Sequence, residues 1–198
     1  AYVTASWLVL MAAIFDTLDG NIARLTKGFS DFGVEFDSLA DIVSFGVAPS
    51  ILIYKLYFFQ FNEYGIFFSF LPLLFGGIRL ARFNVQIEGF EKKGFSGLPI
   101  PTTAYGIGSI VLLVTNETVP LARPFAFLNQ VMPPAVIVFS LLMVTNLPYE
   151  ALPKLGLKSG WYNIFKLFFL LFSIVLIILF PRLVLFPLVM IYVLSGIA

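Results

Sequence analysis

The sequence predicts an all-α, polytopic transmembrane helix bundle. Of its 198 residues, 60% are hydrophobic and only 12% are charged, against about 25% charged residues in an average soluble domain. The mean hydropathy is +0.98. A spanning helix needs about 20 mainly apolar residues, so the apolar runs leave room for several crossings. Residues 167–179 do not alternate as membrane β-strands do, which argues against a barrel. We expect one transmembrane domain over residues 1–198.

Seven apolar segments predict seven helices in this chain. Proline and glycine mark several of the breaks between them, as at residues 97–101 and 146–148. No internal repeat or linker divides the segments, so one compact bundle is the simplest architecture. The segments cover residues 2–15, 45–59, 64–80, 101–115, 127–144, 161–180 and 183–197.

The residue types that are missing restrict the chemistry. The chain has no cysteine and no histidine, which excludes disulfides, thiolate nucleophiles, histidine-bound zinc and a histidine base. Nucleic acid is not an expected partner, because the net charge is only +1 and no basic face interleaved with aromatic residues is present. Any metal or acid–base chemistry must therefore use carboxylates.

The basic residues predict the orientation in the membrane. If the first segment ends inside the cell, the inner loops and helix ends carry most of the lysines and arginines, as cytoplasmic loops usually do. We therefore expect the acidic stretch after the first segment to face the cytoplasm. The inner set is Arg24, Lys27, Arg79, Arg82, Lys92, Lys93, Lys154 and Lys158, and the outer set is Lys55, Arg123 and Arg182.

All aspartates of the chain lie between Asp16 and Asp41. Asp16 and Asp19 are three residues apart, and Asp37 and Asp41 are four apart, so each pair shares one face if its stretch is helical. Two facing helices would then gather four carboxylates. A charge at the centre of a membrane helix costs roughly 2.5–3.5 kcal/mol on insertion scales, and neighbouring carboxylates also repel one another. Cations would hold such a group together.

The ligand types predict which cations these are. Oxygen ligands without histidine or cysteine favour hard ions, Mg²⁺ or Mn²⁺, and two ions bridged by shared carboxylates are plausible. Gly20, Ala23 and Gly33 leave room beside the carboxylates for a nucleotide or a facing helix. Arg24 offers a charged fork to a pyrophosphate. The other acidic residues of the stretch are expected to be ordinary solvated or capping residues.

These residues form the signature D-x2-D-G-x2-A-R-x8-G-x3-D-x3-D of the CDP-alcohol phosphotransferase family, matched from Asp16 to Asp41 without a gap. Eight residues of defined type at fixed spacings make this resemblance specific. It implies that family's fold, a bundle with a six-helix core, usually homodimeric, whose polar cavity opens to the cytoplasm. Family members have a helix before the one that carries the first half of the motif, whereas fifteen residues precede Asp16 here. We expect an additional N-terminal helix in the intact protein, eight in all.

The resemblance also implies a reaction and roles in it. A phosphatidyl-type group would pass from a CDP-linked lipid to a small alcohol with release of CMP. Asp41 would be the base that deprotonates the acceptor hydroxyl. The ligands of the two metal ions would be Asp16, Asp19, Asp37 and Asp41. The CDP site would be lined by Asp19, Gly20, Ala23, Arg24 and Gly33.

A second pair of motifs follows at the end of the third segment. R-L-A-R-F-N from Arg79 to Asn84, followed by G-x-P-x-P from Gly97 to Pro101, resembles the serine-accepting branch of the family. The resemblance implies CDP-diacylglycerol and L-serine as substrates, with Arg79, Arg82 and Asn84 at the acceptor. The two arginines share a helix face, so one would hold the serine carboxylate while the other approaches the phosphates. On this hypothesis Arg82→Lys raises the serine requirement more than the lipid requirement.

Other interpretations of the same residues stay open. Within the family, the acceptor would be glycerol phosphate, inositol phosphate or a second lipid, or the donor an archaeal ether lipid. Arg79 and Arg82 would then do no more than extend their charges to the membrane surface. In a different class of protein, a cation transporter would use the aspartates as its ion site. That alternative assigns no role to the small residues at their fixed spacing.

Overall fold

The computed structural model is helical throughout the part of the chain that it describes, which is residues 1–26, 30–88, 97–115, 125–147, 149, 172–173 and 175–196. The side chains of residues 23, 24, 31, 86–88 and 125–127 are outside that description. Seven α-helices are described from end to end. They are α1 (Tyr2–Thr26), α2 (Asp31–Asp41), α3 (Ala48–Leu56), α4 (Asn62–Glu88), α5 (Ile100–Val114), α6 (Phe125–Val144) and α7 (Pro181–Ser195).

Three helical segments among the described residues are long and apolar enough to cross a membrane. They are Tyr2–Ile22, Phe32–Leu56 and Phe58–Val85, with 21, 25 and 28 residues, against about 20 needed to span a bilayer. Three further apolar helices are shorter, at Ile100–Val114, Leu128–Val144 and Pro181–Ser195. The chain is therefore a multi-pass integral membrane protein built of helices, as its composition predicts.

Helix α5 forms the centre of the bundle. Ten of its fifteen residues are buried, and it packs against α1, α6 and α7. Two glycines allow these close approaches. Gly106 faces the ring of Phe139 in α6, and a Cβ at Gly108 would lie 3.6 Å from Leu10 in α1. Because helices in lipid gain little from hydrophobic exclusion, small residues that bring backbones together favour this packing.

Helices α2 and α3 belong to one continuous helical segment with a π-helical stretch, Ile42–Val47, between them. At the end of this stretch the amide of Ala48 donates to the carbonyl of Val43, five residues earlier. Pro49 follows directly, and a proline ring in a regular α-helix clashes with the carbonyl four residues before it. The wider π-turn relieves that clash. It therefore lets the helix that carries Asp41 continue into the membrane.

The ends of α4, α5 and α6 are tied together by hydrogen bonds. The guanidinium of Arg82 in α4 donates to the Val144 carbonyl at 2.8 Å and to Asn146 Oδ1 at 3.0 Å. The Gly97 amide donates to the Leu147 carbonyl at 2.9 Å. Gly97 has a φ of +84°, and a Cβ there would meet the Met143 carbonyl, so only glycine fits this turn without strain.

The predicted segments differ from the observed helices mainly in length. The first was predicted to end at residue 15, but α1 continues to Thr26. The second was predicted to begin at residue 45, but its helix begins at Asp31. The acidic residues interrupted the apolar pattern without ending either helix, because backbone hydrogen bonding continues through them. Most of the sixth predicted segment, residues 161–180, lies outside the described residues, although residues 172–173 and 175–179 are helical.

Candidate metal centre

Three of the four spaced aspartates converge in the structure. Asp16 projects from α1, and Asp37 and Asp41 project from α2. One carboxylate oxygen of each lies within 4.8 Å of the others. Ser30 precedes α2 as its N-cap and accepts a hydrogen bond from the Gly33 amide at 3.0 Å, which stabilises the start of this helix.

Burial makes this arrangement unfavourable without a counter-charge. Asp16 and Asp41 are half-buried, and Asp37 is exposed. The carboxyl groups of Asp16 and Asp41 lie close together across the two helices. If both were ionised, two charges within 4.8 Å of each other would repel by at least about 3.5 kcal/mol at an effective dielectric constant of about 20.

The donor set fits a hard divalent cation. Each of the three residues can supply a carboxylate oxygen, and oxygen ligands are those that Mg²⁺ and Mn²⁺ prefer. A divalent ion would replace the repulsion with attraction to all three groups. This cluster could therefore hold a metal ion.

Asp19 is not part of this three-residue cluster. It lies one turn further along α1 and its side chain is exposed. Its charge nevertheless acts on Asp16. Asp19 is thus an exposed carboxylate next to Gly20, close enough to Asp16 for the two charges to interact.

Gly20 lies beside open space. A Cβ at this position would have no atom of another described element within 4 Å, so packing between the described helices does not explain the glycine. A Cβ at Gly33 would meet the capping hydroxyl of Ser30 at 3.0 Å. The side chains of Ala23 and Arg24, which the signature also includes, are outside the described residues.

Arg79 is the basic side chain of α4 that faces the cluster. It is partly buried, and its Nε has no hydrogen-bond partner among the described residues. Its charge interacts with Asp41 and with Tyr192 of α7. The Nε of Arg79 is therefore a hydrogen-bond donor that remains free, among the described residues, near the carboxylate of Asp41.

The other two residues predicted at the acceptor have protein partners. Arg82 is bound to the end of α6 through Val144 and Asn146, as described above. Asn84 is half-buried, and its Nδ2 donates to the Ser38 hydroxyl of α2 at 3.2 Å. Both side chains connect α4 to neighbouring helices.

Two tyrosines near the cluster were missed by sequence reasoning. Tyr105 of α5 is close enough to Asp16 for the carboxylate charge to act on the Tyr105 hydroxyl. Tyr192 of α7 lies near Arg79, and its ring packs against Tyr149 with centroids 5.7 Å apart. The signal in the sequence is that each tyrosine places a hydroxyl inside an apolar run. Such tyrosines are also common at membrane interfaces, so this signal is not specific to a functional site.

The CDP-alcohol phosphatidyltransferase family matches residues 1–145, which contain the whole acidic cluster and helices α1 to α6. The chain belongs to this family. Three relatives share between 36% and 39% of their aligned residues with it. The CDP-diacylglycerol–serine O-phosphatidyltransferase of Helicobacter pylori is 39% identical over 159 residues, covering 77% of this chain and 63% of the relative.

Two archaeal relatives are similarly close. The CDP-diacylglycerol–serine O-phosphatidyltransferase of Methanocaldococcus jannaschii is 36% identical over 147 residues, covering 74% of this chain and 64% of the relative. The archaetidylserine synthase of Methanothermobacter thermautotrophicus is 39% identical over 155 residues, covering 77% and 60%. The chain thus spans less than two thirds of the length of these relatives.

The cluster makes a testable prediction about metal binding. Asp16→Asn, Asp37→Asn and Asp41→Asn each remove one charged ligand, so each is expected to weaken Mn²⁺ binding by about tenfold or more. Electron paramagnetic resonance titration of free Mn²⁺ with purified protein measures this affinity. Glu35→Gln is the matched control, because it removes one charge from the same helix at an exposed position outside the cluster. An equal loss in the control would show that only overall charge matters.

Proposed function

We propose that the whole protein is a phosphatidylserine synthase, transferring the phosphatidyl group of CDP-diacylglycerol to L-serine with release of CMP in phospholipid biosynthesis. The observation that carries this proposal is the convergence of Asp16, Asp37 and Asp41 beside Arg79, in a chain with the complete family signature. The relatives in Helicobacter and Methanocaldococcus are named for this reaction, and both use serine.

The proposed reaction is a displacement at the lipid-side phosphorus. The serine hydroxyl oxygen attacks the lipid-side phosphorus, a new O–P bond forms, and the phosphoanhydride bond breaks. CMP leaves with the bridging oxygen. Asp41 accepts the hydroxyl proton, since it lies in the cluster next to Arg79 and a carboxylate at hydrogen-bond distance from the acceptor can act as the base. No covalent enzyme intermediate is needed.

The metal site of this proposal uses Mg²⁺ or Mn²⁺, two ions per subunit. When bound, these ions supply charge neutralisation for the phosphate oxygens. Asp16, Asp37 and Asp41 would hold them as the converging group, and Asp19 would complete the set from the open side. Because Asp19 is already oriented outward, its carboxylate has the space to approach an ion together with the substrate.

The donor site lies beside the same residues. The open space at Gly20 supports the view that this glycine makes room for a bound group rather than for a neighbouring helix. We place the CDP moiety there, with Asp19, Ala23, Arg24 and Gly33 around it. A pyrophosphate at this point would be next to the carboxylates that hold the ions.

The acceptor site is best served by Arg79. Its buried, unpartnered Nε can donate to the serine carboxylate, and its neighbour Asp41 is the proposed base. Arg82 and Asn84 were predicted to share this task. Their hydrogen bonds to α6 and α2 favour a supporting role, in which they hold Arg79 and the cluster in place.

The setting of the reaction is also proposed. The active site faces the cytoplasm in this proposal, because the sequence predicts most basic residues on that side and Arg79, one of them, lies beside the cluster. Residues 1–198 form a single transmembrane catalytic domain, and the protein works as a homodimer, as the family resemblance implies.

The archaetidylserine synthase among the relatives favours one second candidate, in which the donor is an ether lipid and serine is still the acceptor.

The direct test of the proposal is CMP release by the full-length protein. Purified protein with Mg²⁺ or Mn²⁺ is given CDP-diacylglycerol or its ether-lipid analogue, with L-serine, glycerol 3-phosphate, inositol phosphate or no acceptor. We expect release that depends on serine and on the cation and that Asp41→Asn lowers by at least about a hundredfold. Release with a different acceptor would contradict the serine assignment, and metal flux in proteoliposomes without CMP release would favour a transporter.

Substitutions of Arg79 and of Arg82 are expected to have different effects on the enzyme. Arg79→Lys loses the planar guanidinium that pairs with a carboxylate, so the KM for serine should rise roughly tenfold or more with a smaller change in the KM for the CDP-lipid. Arg82→Lys is the matched control, and should chiefly lower the thermal unfolding temperature because it weakens the link to α6. The hypothesis that Arg82 binds serine predicts the reverse order.

A further inference from the structure

A hydrogen bond from α4 reaches α2 at Ser38. Asn84 Nδ2 in α4 donates to the Ser38 hydroxyl at 3.2 Å, and the Ser38 hydroxyl donates to the carbonyl of Val34 at 3.2 Å. The separation between Ser38 Oγ and Asn84 Oδ1 is 3.5 Å, too long for a good hydrogen bond. The Ser38 hydroxyl thus donates its proton within α2, and its oxygen accepts a hydrogen bond from the Asn84 side-chain amide of α4.

The rest of α2 is little packed. Of its described side chains, only Ser38 and Asp41 are not exposed. Phe32, Phe36 and Leu39 are 78%, 60% and 63% exposed. Helix α2 continues into the π-helical stretch at one end, and the Ser30 cap at the other end bonds only to α2 itself. Among the described side chains, the hydrogen bond with Asn84 is therefore the directional polar contact of α2 with α4, and it adds to the charge interaction between Arg79 and Asp41.

The position of Ser38 couples this rotation to the cluster. It follows Asp37 directly and lies three residues before Asp41, on the same face of the helix. Turning α2 away from Asn84 would move both carboxylates relative to Asp16 on α1. The distances within the cluster then depend on whether the contact forms.

We infer that Ser38 and Asn84 are positioning residues, which hold the α2 carboxylates in register with Asp16 for cation binding. This inference rests on the proposed function, in which the cluster binds the cations that the transfer needs. It gives Asn84 a role different from contact with the acceptor, and it gives Ser38 a role that the signature, which leaves its position unspecified, does not.

The test uses an isosteric pair at position 38. Ser38→Thr keeps the hydroxyl. Ser38→Val has the same shape as Ser38→Thr but carries a methyl group in place of that hydroxyl. We expect Ser38→Val and Asn84→Ala each to weaken Mn²⁺ binding, measured by electron paramagnetic resonance, by roughly two- to tenfold, the effect of one lost neutral hydrogen bond. Ser38→Thr should stay within about twofold of the wild type. The double variant Ser38→Val with Asn84→Ala should be no weaker than the weaker single variant, because both remove the same contact.

Ser195→Ala is the control for a serine whose hydroxyl bonds within its own helix, at Tyr192, and it should leave Mn²⁺ affinity unchanged. Wild-type affinity in Ser38→Val and Asn84→Ala, or additive losses in the double variant, would overturn the inference even with CMP release intact. If the wild type released no CMP while Mn²⁺ binding followed the expected pattern, the proposed function would fail and the positioning role would stand.

Discussion

The repulsion between carboxylates brought together from two helices is the constraint on which the rest of the structure depends. Asp16, Asp37 and Asp41 meet within 4.8 Å, on helices long and apolar enough to span a membrane. No packing advantage accounts for that arrangement, because apolar residues at these positions would be cheaper to bury. A metal ion held by all three carboxylates would offset this repulsion, and the cluster could hold one.

Helix α4 supplies most of what holds the cluster in place. Arg79 gives Asp41 a positive neighbour, Asn84 bonds to α2 through Ser38, and Arg82 bonds to the end of α6. Behind these contacts, the buried helix α5 packs against α1 and so supports Asp16. The cluster thus lies beside a buried apolar helix and is connected to several helices of the bundle. Such preorganisation keeps ligands near the geometry that binding needs.

The sequence predicted the helical membrane fold, which depends on local pattern, whereas of the four aspartates predicted to gather the structure brings three together and leaves Asp19 outside the cluster. Spacings of three and four residues place Asp16 with Asp19, and Asp37 with Asp41, on shared helix faces whatever the tertiary structure. What spacing does not predict is the partner across the bundle. The place of Arg82 and Asn84 at the acceptor stays a prediction, and their bonds to Asn146 and Ser38, which spacing did not predict, depend on how α4 meets its neighbours. Tyr105 and Tyr192 were missed for the same reason, and the π-helical stretch became interpretable only with the register of the whole helix.

The most direct test of this account is the thermal unfolding temperature of Asp16→Asn against the wild type, with the divalent cation removed by a chelator and then at saturation. Without cation, the account predicts that Asp16→Asn is the more stable protein, since an amide removes the repulsion and can donate to Asp41. With saturating Mg²⁺ the order should reverse, because the wild type gains binding free energy that the variant largely loses. If Asp16→Asn is the less stable protein in chelator, and Mg²⁺ does not raise the unfolding temperature of the wild type, the carboxylates are not a cation site and the account is wrong.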